Sequence, residues 1–361
     1  MRFSRLILLS LILLWLSAAG ELLRAQAVYA PYPVPYEAEA AAMAAPEGYK
    51  PVYISHFSRH GSRYLLKRYA DAGNDLCKLH PDDSVWQAVK AVYAMHAGRK
   101  GALSALGAKE QQGIGRRMAE RFPELFSGGQ VRAKASMAGR CKESMRNCLK
   151  GLESLAPGLK SKTSSDVFTY LRYSKGVKNE AQSMRKDPNR ILWHYGSVAG
   201  LIGLDKDFIT RYLTVEEWAA MQAGGEGYYQ EKLLPKTLQD ASVSRPLLKE
   251  IVSQADAALS GKRNCVADLR FGHDSAFVPL CALMGLKGFC PWDGEAGRIS
   301  NLVPMAANIQ LIFYRNDAGI VIVKILHNES ETTIPDLTPI EYKNSGLFYS
   351  WPELKSYLKS R

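Results

Sequence analysis

Strand-like and helix-like segments alternate at both ends of this chain, which limits the folds that its 361 residues can adopt. Near the first end, apolar runs at 51–56 and 130–135 predict strands, and helical spacing of apolar residues predicts helices over 103–126 and from about Lys142. This alternation predicts an α/β sheet domain. The second end continues it with a helix at 247–259, a strand at 264–271, a helix at 275–284, and a hairpin of 307–314 and 320–326.

The middle of the chain has a different character. Residues 160–244 contain Trp193, Trp218, several tyrosines and polar helical patterns, without a strand-like run. We therefore expect an inserted helical domain at 160–244, which divides the sheet domain into residues 48–159 and 245–361.

The amino terminus has the pattern of an export signal. Arg2 and Arg5 precede an apolar run at 6–16, and Ala25-Gln26-Ala27 has the small-x-small form of a cleavage site. The run is short for a bilayer span of about 20 residues, so we expect cleavage of residues 1–27 with no stable membrane span left. The Ala- and Pro-rich residues 28–47 are predicted to be a surface lead-in, and the mature protein periplasmic or secreted.

Export would place six cysteines in an oxidising compartment, where they can form disulfides. Six cysteines allow fifteen connectivities, and the sequence does not choose among them. One pairing is disfavoured: Cys141 and Cys148 on one helix would lie about 10 Å apart along its axis, too far for a disulfide. The cysteines are Cys77, Cys141, Cys148, Cys265, Cys281 and Cys290.

A surplus of basic residues indicates an anionic ligand. The formal net charge is +12, and about +10 remains without residues 1–27. A nucleic acid and a phosphorylated small molecule both fit such a surface. Because the basic residues are spread along the chain without an aromatic-basic motif, we expect a small phosphorylated substrate and no nucleic acid.

The densest group of reactive side chains follows the first predicted strand, in the run Ser-Arg-His-Gly-Ser-Arg-Tyr at 58–64. Ligands of α/β sheets bind at the carboxyl ends of strands. Arg59 and Arg63 offer planar forks for phosphate oxygens, Gly61 lets the backbone approach a ligand, and His60 is a nitrogen nucleophile. Taken alone, the run also fits a basic surface turn.

Two further strand ends favour a phosphate site over that alternative. Arg140 follows the strand at 130–135, while His273 and Asp274 end the strand at 264–271 and open a helix. The first N–H groups of a helix attract anions. Three strand ends thus have groups suited to phosphate binding or proton transfer.

Together these residues resemble the motif of the histidine acid phosphatases, the branch of the histidine phosphatase superfamily that includes phytases and multiple inositol polyphosphate phosphatases. The resemblance runs from about residue 50 to 335. It implies a mixed α/β sheet flanked by helices, with a smaller inserted helical domain. Supporting segments are Leu-Ser-Ala-Leu-Gly at 103–107 with Gln111 and Gly115, and those at 121–123, 246–248 and 323–329.

The resemblance also implies a role for each residue. His60 would accept the phosphoryl group and form a phosphohistidine. Asp274 would protonate the leaving alcohol and then activate water. Neither a metal nor another cofactor is implied. The residues expected to bind the phosphoryl oxygens are Arg59, Arg63, Arg140 and His273.

Two departures bear on the substrate. Leu65 stands where many members have proline, and the multiple inositol polyphosphate phosphatases usually show His-Ala-Glu where this chain has His273-Asp274-Ser275. We expect the substrate to be an inositol polyphosphate such as phytate. The alternative is that the protein is a broad-specificity acid phosphatase or sugar phosphatase. A phosphotransferase or mutase and a non-catalytic phosphate-binding module also remain open, although export and the His-Asp pair favour hydrolysis. The oligomeric state stays open too.

Overall fold

The computed structural model describes residues 27–33, 44–165, 186–293 and 296–361. The predicted signal peptide therefore lies outside the described residues, apart from Ala27. No helix in these four ranges is long and apolar enough to cross a bilayer.

One mixed sheet organises the described part of the chain. Its strand order is β3-β2-β4-β1-β5-β6-β9-β8, with β7 paired to β6. Strands β1 to β4 pair in parallel, and β5 to β9 join by antiparallel pairing. The predicted mixed α/β class is thus confirmed. The strands are β1 (Tyr49–Arg59), β2 (Gln130–Ala135), β3 (Lys160–Ser165), β4 (Ala267–Gly272), β5 (Asn308–Asn316), β6 (Val321–His327), β7 (Ser330–Glu331), β8 (Ile340–Tyr342) and β9 (Gly346–Ser350).

Helices flank this sheet. Short 3₁₀ turns at 27–29, 200–202, 210–212, 242–244 and 291–293 supplement them. The α-helices are α1 (Lys67–Leu79), α2 (Ser84–Met95), α3 (Ala105–Arg121), α4 (Pro123–Phe126), α5 (Gly139–Glu153), α6 (Pro188–Ala199), α7 (Val215–Leu233), α8 (Leu238–Ala241), α9 (Arg245–Leu259), α10 (Asp274–Leu283), α11 (Ile299–Leu302) and α12 (Trp351–Ser360).

Most elements predicted for the two ends of the chain are confirmed. Strand β2 has the predicted bounds, and β5 and β6 form the predicted hairpin. Strand β1 is longer than predicted, because β4 and β5 pair with its two sides as far as Arg59 and Ser58. The helix predicted over 103–126 is broken at Phe122, since Pro123 opens the separate helix α4.

The expectation that residues 160–244 contain no strand is wrong at their first six residues. Strand β3 pairs in parallel with β2, and all six of its residues are exposed. An exposed Lys-Ser-Lys-Thr-Ser-Ser strand has no apolar alternation by which to recognise it. Trp193 and Tyr195 on α6 share one hydrophobic core with Phe277 and Leu311. The division into a separate helical domain stays a prediction.

The surface lead-in predicted for 28–47 is wrong at its start. Val28 and Tyr29 are 1% and 0% exposed and belong to the main core, and Tyr32 is also buried. Because the stretch is rich in Ala and Pro, its composition gave no sign of these buried side chains. Tyr29 packs against Trp193 of α6, and Tyr32 packs with Ile114. Residues 34–43 lie outside the described part.

The six cysteines are buried thiols in the structure. Cys141 and Cys148 both lie on α5, the arrangement for which a mutual disulfide was disfavoured. Burial raises the pKa of Cys141 to about 11.

Candidate active site

The predicted site residues converge at one edge of the sheet. Strands β2, β4 and β1 are neighbours and run in parallel, so their carboxyl ends lie side by side. Arg59 Nη2 lies 3.1 Å from Asp274 Oδ2. The rings of His60 and His273 are 5.5 Å apart, and Arg140 Nη2 lies 3.0 Å from His273 Nδ1. The topology thus unites groups more than 200 positions apart in the sequence.

His60 is held with one ring nitrogen free for chemistry. Its backbone N–H donates to Gly272 O at 3.0 Å, and its Nδ1 lies 2.9 Å from Gly61 O. A carbonyl only accepts, so Nδ1 carries the proton and Nε2 keeps its lone pair. Burial, assisted by the positive charges of Arg140 and Arg59, holds the pKa of His60 well below its ordinary value. The imidazole is therefore neutral, as a nucleophile must be.

Arg59 is completely buried and fixed on three sides. Its Nη1 donates to Val303 O at 2.7 Å and to Pro304 O at 3.1 Å, and its Nη2 pairs with Asp274. Burial acts to raise the pKa of Asp274, but the neighbouring positive charge, that of Arg59 above all, outweighs it and lowers that pKa. Asp274 is thus a carboxylate beside Arg59.

Two more guanidinium groups, those of Arg63 and Arg140, lie near His60. Arg63 is buried, and its Nη1 donates to Tyr64 O at 3.1 Å. Arg140 lies in the first turn of α5, where burial and then the charge of Arg63 lower its pKa to about 10. Three guanidinium groups against the single carboxylate of Asp274 give the cluster a surplus of positive charge, which suits a phosphoryl dianion.

Both ring nitrogens of His273 have partners. A guanidinium only donates, so Nδ1 accepts from Arg140, and Nε2 carries the proton that it donates to Ser136 Oγ at 3.0 Å. Sequence reasoning missed Ser136, which directly follows β2. Position at the end of a strand was the signal by which Arg140 and His273 were predicted, and the same signal applies to Ser136. In this state His273 orients Arg140.

The turn after β1 is held by residues of α3 and α5. Gly61 and Gly107 touch so closely that a Cβ on Gly107 would lie 2.1 Å from Ser62 O. Glu110 accepts from Ser62 N and Ser62 Oγ, both at 2.7 Å. Gln111 donates to Arg59 O at 2.9 Å. Glu110 was missed, although polar residues three and four positions after Gly107 share the buried stripe of α3.

A cavity of about 860 Å³ adjoins Arg140. Its wall includes Lys67 and Lys100, together with Ser104 and Asn147. A cavity of this size matches those that enclose small-molecule ligands. Lys67 and Arg140 add positive charge to this wall, whereas Lys100 is paired with Asp71 and Glu143 also lines the cavity.

No protein-family model matches this sequence, and no curated protein matches it. Solved structures do match. The multiple inositol polyphosphate phosphatase of Bifidobacterium longum, in complex with inositol hexasulfate, aligns over 93% of this chain and 97% of its own, with a TM-score of 0.74 and 19% identity.

Two phytases align as well. That of D. castellii covers 94% of this chain and 85% of its own, with a TM-score of 0.71 and 12% identity. The Hafnia alvei enzyme covers 88% and 98%, with a TM-score of 0.55 and 13% identity. The resemblance predicted from the motif is thus confirmed at the level of the fold: this chain shares the fold of these two phytases and of the inositol polyphosphate phosphatase.

Proposed function

We propose that this protein is an exported histidine-type phosphomonoesterase that hydrolyses inositol polyphosphates such as phytate through a phosphohistidine. The observation on which the proposal rests is the buried, neutral imidazole of His60, with Nδ1 bound to Gly61 O and Nε2 unprotonated. Arginines surround it, and a carboxylate lies beside them.

In the first step, Nε2 of His60 attacks phosphorus as the bond to the ester oxygen breaks. Arg59, Arg63 and Arg140 would bind the nonbridging oxygens, where negative charge is spread in the transition state. Carbonyl oxygens fix Arg59, so little reorganisation is needed when phosphate arrives. Once Arg140 has turned to the phosphate, His273 Nδ1 can take a proton and donate to it as well.

Asp274 would supply the proton that the departing alcohol needs. Before substrate binds, the charge of Arg59 keeps the Asp274 carboxyl ionised. A bound phosphate neutralises Arg59 and Arg63, so the pKa of Asp274 rises, and a monoanionic substrate brings the required proton at acidic pH. In the second step the Asp274 carboxylate takes a proton from water, which attacks the phosphohistidine and releases inorganic phosphate.

The charge of the surroundings supports a highly anionic substrate. Lys67 lines the cavity beside Arg140, and the net charge of the whole chain is +12. Several of the matching structures are phytases, and another holds inositol hexasulfate. Export is proposed from the amino-terminal signal alone. The His273-Asp274 pair keeps a broad-specificity acid phosphatase as the second candidate.

The test is phosphate release by the purified protein in EDTA, from phytate, a sugar phosphate, a nucleotide and p-nitrophenyl phosphate. We expect activity with an acidic optimum and the highest kcat/KM for phytate. His60→Ala should reduce activity to background, while His80→Ala, which changes an exposed histidine, should not. Metal-dependent turnover, or full activity of His60→Ala, would contradict the proposal. Equal kcat/KM for all four substrates would favour the broad-specificity candidate.

A further inference from the structure

Residues 28–33, here called the N-terminal segment, contact the supports of the candidate active site at three places. The segment passes α11 and α7 and then reaches the buried face of α3. We propose that it positions the phosphate-binding groups and is thereby part of the active-site architecture. This inference rests on the proposed phosphatase function.

The first contact joins Tyr29 to Arg63. The guanidinium carbon of Arg63 lies 5.5 Å from the centroid of the Tyr29 ring. Burial raises the pKa of Tyr29 to about 12, and the charge of Arg63 acts against this rise. The phenol oxygen lies 3.0 Å from Nδ1 of His194, and the ring packs edge-on against Trp193. Tyr29 is thus fixed on α6 and presents its ring to Arg63.

The second contact is a backbone hydrogen bond to the loop that holds Arg59. Met305 N donates to Ala30 O at 2.7 Å. The two preceding residues of this loop provide the carbonyls that accept from Arg59 Nη1. The next residue, Ala306, has φ of 57° and donates its N–H to His60 O at 3.0 Å. A non-glycine residue keeps this backbone conformation only where its surroundings impose it.

The third contact links the N-terminal segment to the turn after β1 through Glu110. Tyr32 N donates to Glu110 Oε1 at 3.0 Å. The same carboxylate accepts from the backbone and side chain of Ser62, between His60 and Arg63. Tyr32 is itself fixed, because its hydroxyl donates to Glu329 at 2.9 Å. Glu110 therefore links the N-terminal segment directly to the phosphate-binding turn.

These contacts do more than bury apolar surface. The second and third contacts are directional hydrogen bonds, and the first places an aromatic face against a cation. The first contact ends on Arg63 itself, and the other two reach Arg59, His60 or Arg63 through one intervening residue. Displacing the segment would shift the three groups relative to one another, and small misplacements lower the rate of an enzyme strongly.

Tyr29→Phe tests the first contact, because it keeps the ring but removes the hydroxyl that bonds His194 and interacts with Arg63. We expect the inhibition constant for inorganic phosphate and the KM for p-nitrophenyl phosphate to rise about tenfold, with a smaller change in kcat. Tyr195→Phe is the matched control, since Tyr195 is equally buried and its hydroxyl bonds Ala70 O at 2.8 Å. A purely structural role predicts that both variants lose thermal stability while phosphate inhibition stays at the wild-type value.

Glu110→Gln tests the third contact independently. A carboxamide leaves one of the backbone N–H groups of Ser62 and Tyr32 without an acceptor, so weaker phosphate inhibition is expected again. Glu120→Gln, on the exposed side of the same helix, should behave as wild type. Wild-type phosphate inhibition and KM in both Tyr29→Phe and Glu110→Gln would overturn the inference. Because His60→Ala measures the phosphatase proposal separately, the two failures are distinguishable.

Discussion

Asp274→Asn separates the two roles assigned to this carboxylate. The variant keeps the size of the side chain and an oxygen that can accept from Arg59, but it removes the negative charge and the proton donor. In the wild type, Asp274 Oδ2 lies 3.1 Å from Arg59 Nη2, and the Arg59 side chain is completely buried. The substitution therefore leaves three guanidinium groups without a facing carboxylate.

Stability and catalysis should respond differently. Losing the charge of this partly buried ion pair costs about 2–3 kcal/mol of unfolding free energy, between the values for exposed and for fully buried pairs. Without the facing carboxylate the variant should bind phosphate more tightly than wild type, and each tenfold gain in affinity returns about 1.4 kcal/mol at a saturating phosphate concentration, so phosphate should reduce the difference in Tm. Catalysis has no such compensation. Turnover of phytate should fall about 10²–10⁴-fold, since an inositol alkoxide cannot leave without a proton.

The assay compares kcat/KM of wild type and variant on phytate and on p-nitrophenyl phosphate, because kcat/KM reports the steps up to departure of the alcohol and excludes hydrolysis of the phosphohistidine. Thermal unfolding is measured with and without phosphate. Nitrophenolate leaves without a proton, so that substrate should lose at most about tenfold. Equal losses on the two substrates would refute the general-acid role. A Tm deficit that phosphate does not reduce would refute the account of the charge cluster.

Three further predictions follow from the same contacts. Because the pKa of His60 lies well below its ordinary value, the imidazole stays neutral under mildly acidic conditions, and kcat/KM should persist below pH ~6.5; a loss centred at that pH would contradict this. Ser136→Ala removes the partner of His273 Nε2 and should lower kcat/KM about tenfold, with Tm nearly unchanged. Gly107→Ala would force a Cβ to within 2.1 Å of Ser62 O, so activity and Tm should both fall, measured by phosphate release and thermal unfolding.

Local patterns predicted much of the fold, because strands such as β1 and β4 are apolar runs that end in polar motifs. The carboxyl-edge rule then predicted that these motifs converge, and in the structure Arg59 lies beside Asp274 and His60 beside His273. Strand β3 was not predicted, because its residues are polar and its placement depends on pairing with β2. Periodicity contains no information about a partner strand.

The supports of the site were harder to predict than its reactive groups. Ser136 and Glu110 act through single hydrogen bonds to residues far away in the sequence, and an isolated serine or glutamate has no distinctive spacing. Tyr29 lies in an Ala- and Pro-rich stretch whose composition indicates a surface segment, yet it is completely buried. Its burial depends on Trp193 and His194, contributed by a helix over 160 residues later.

The central claim is that Nε2 of His60 accepts the phosphoryl group. Its most direct test is to mix enzyme and substrate, stop the reaction within one turnover in alkali, where phosphohistidine survives, and locate the modification by peptide mass spectrometry. The account predicts one added phosphoryl group on His60 and none in the His60→Ala protein. A phosphoryl group on any other residue, or unmodified His60 during steady turnover, would contradict it.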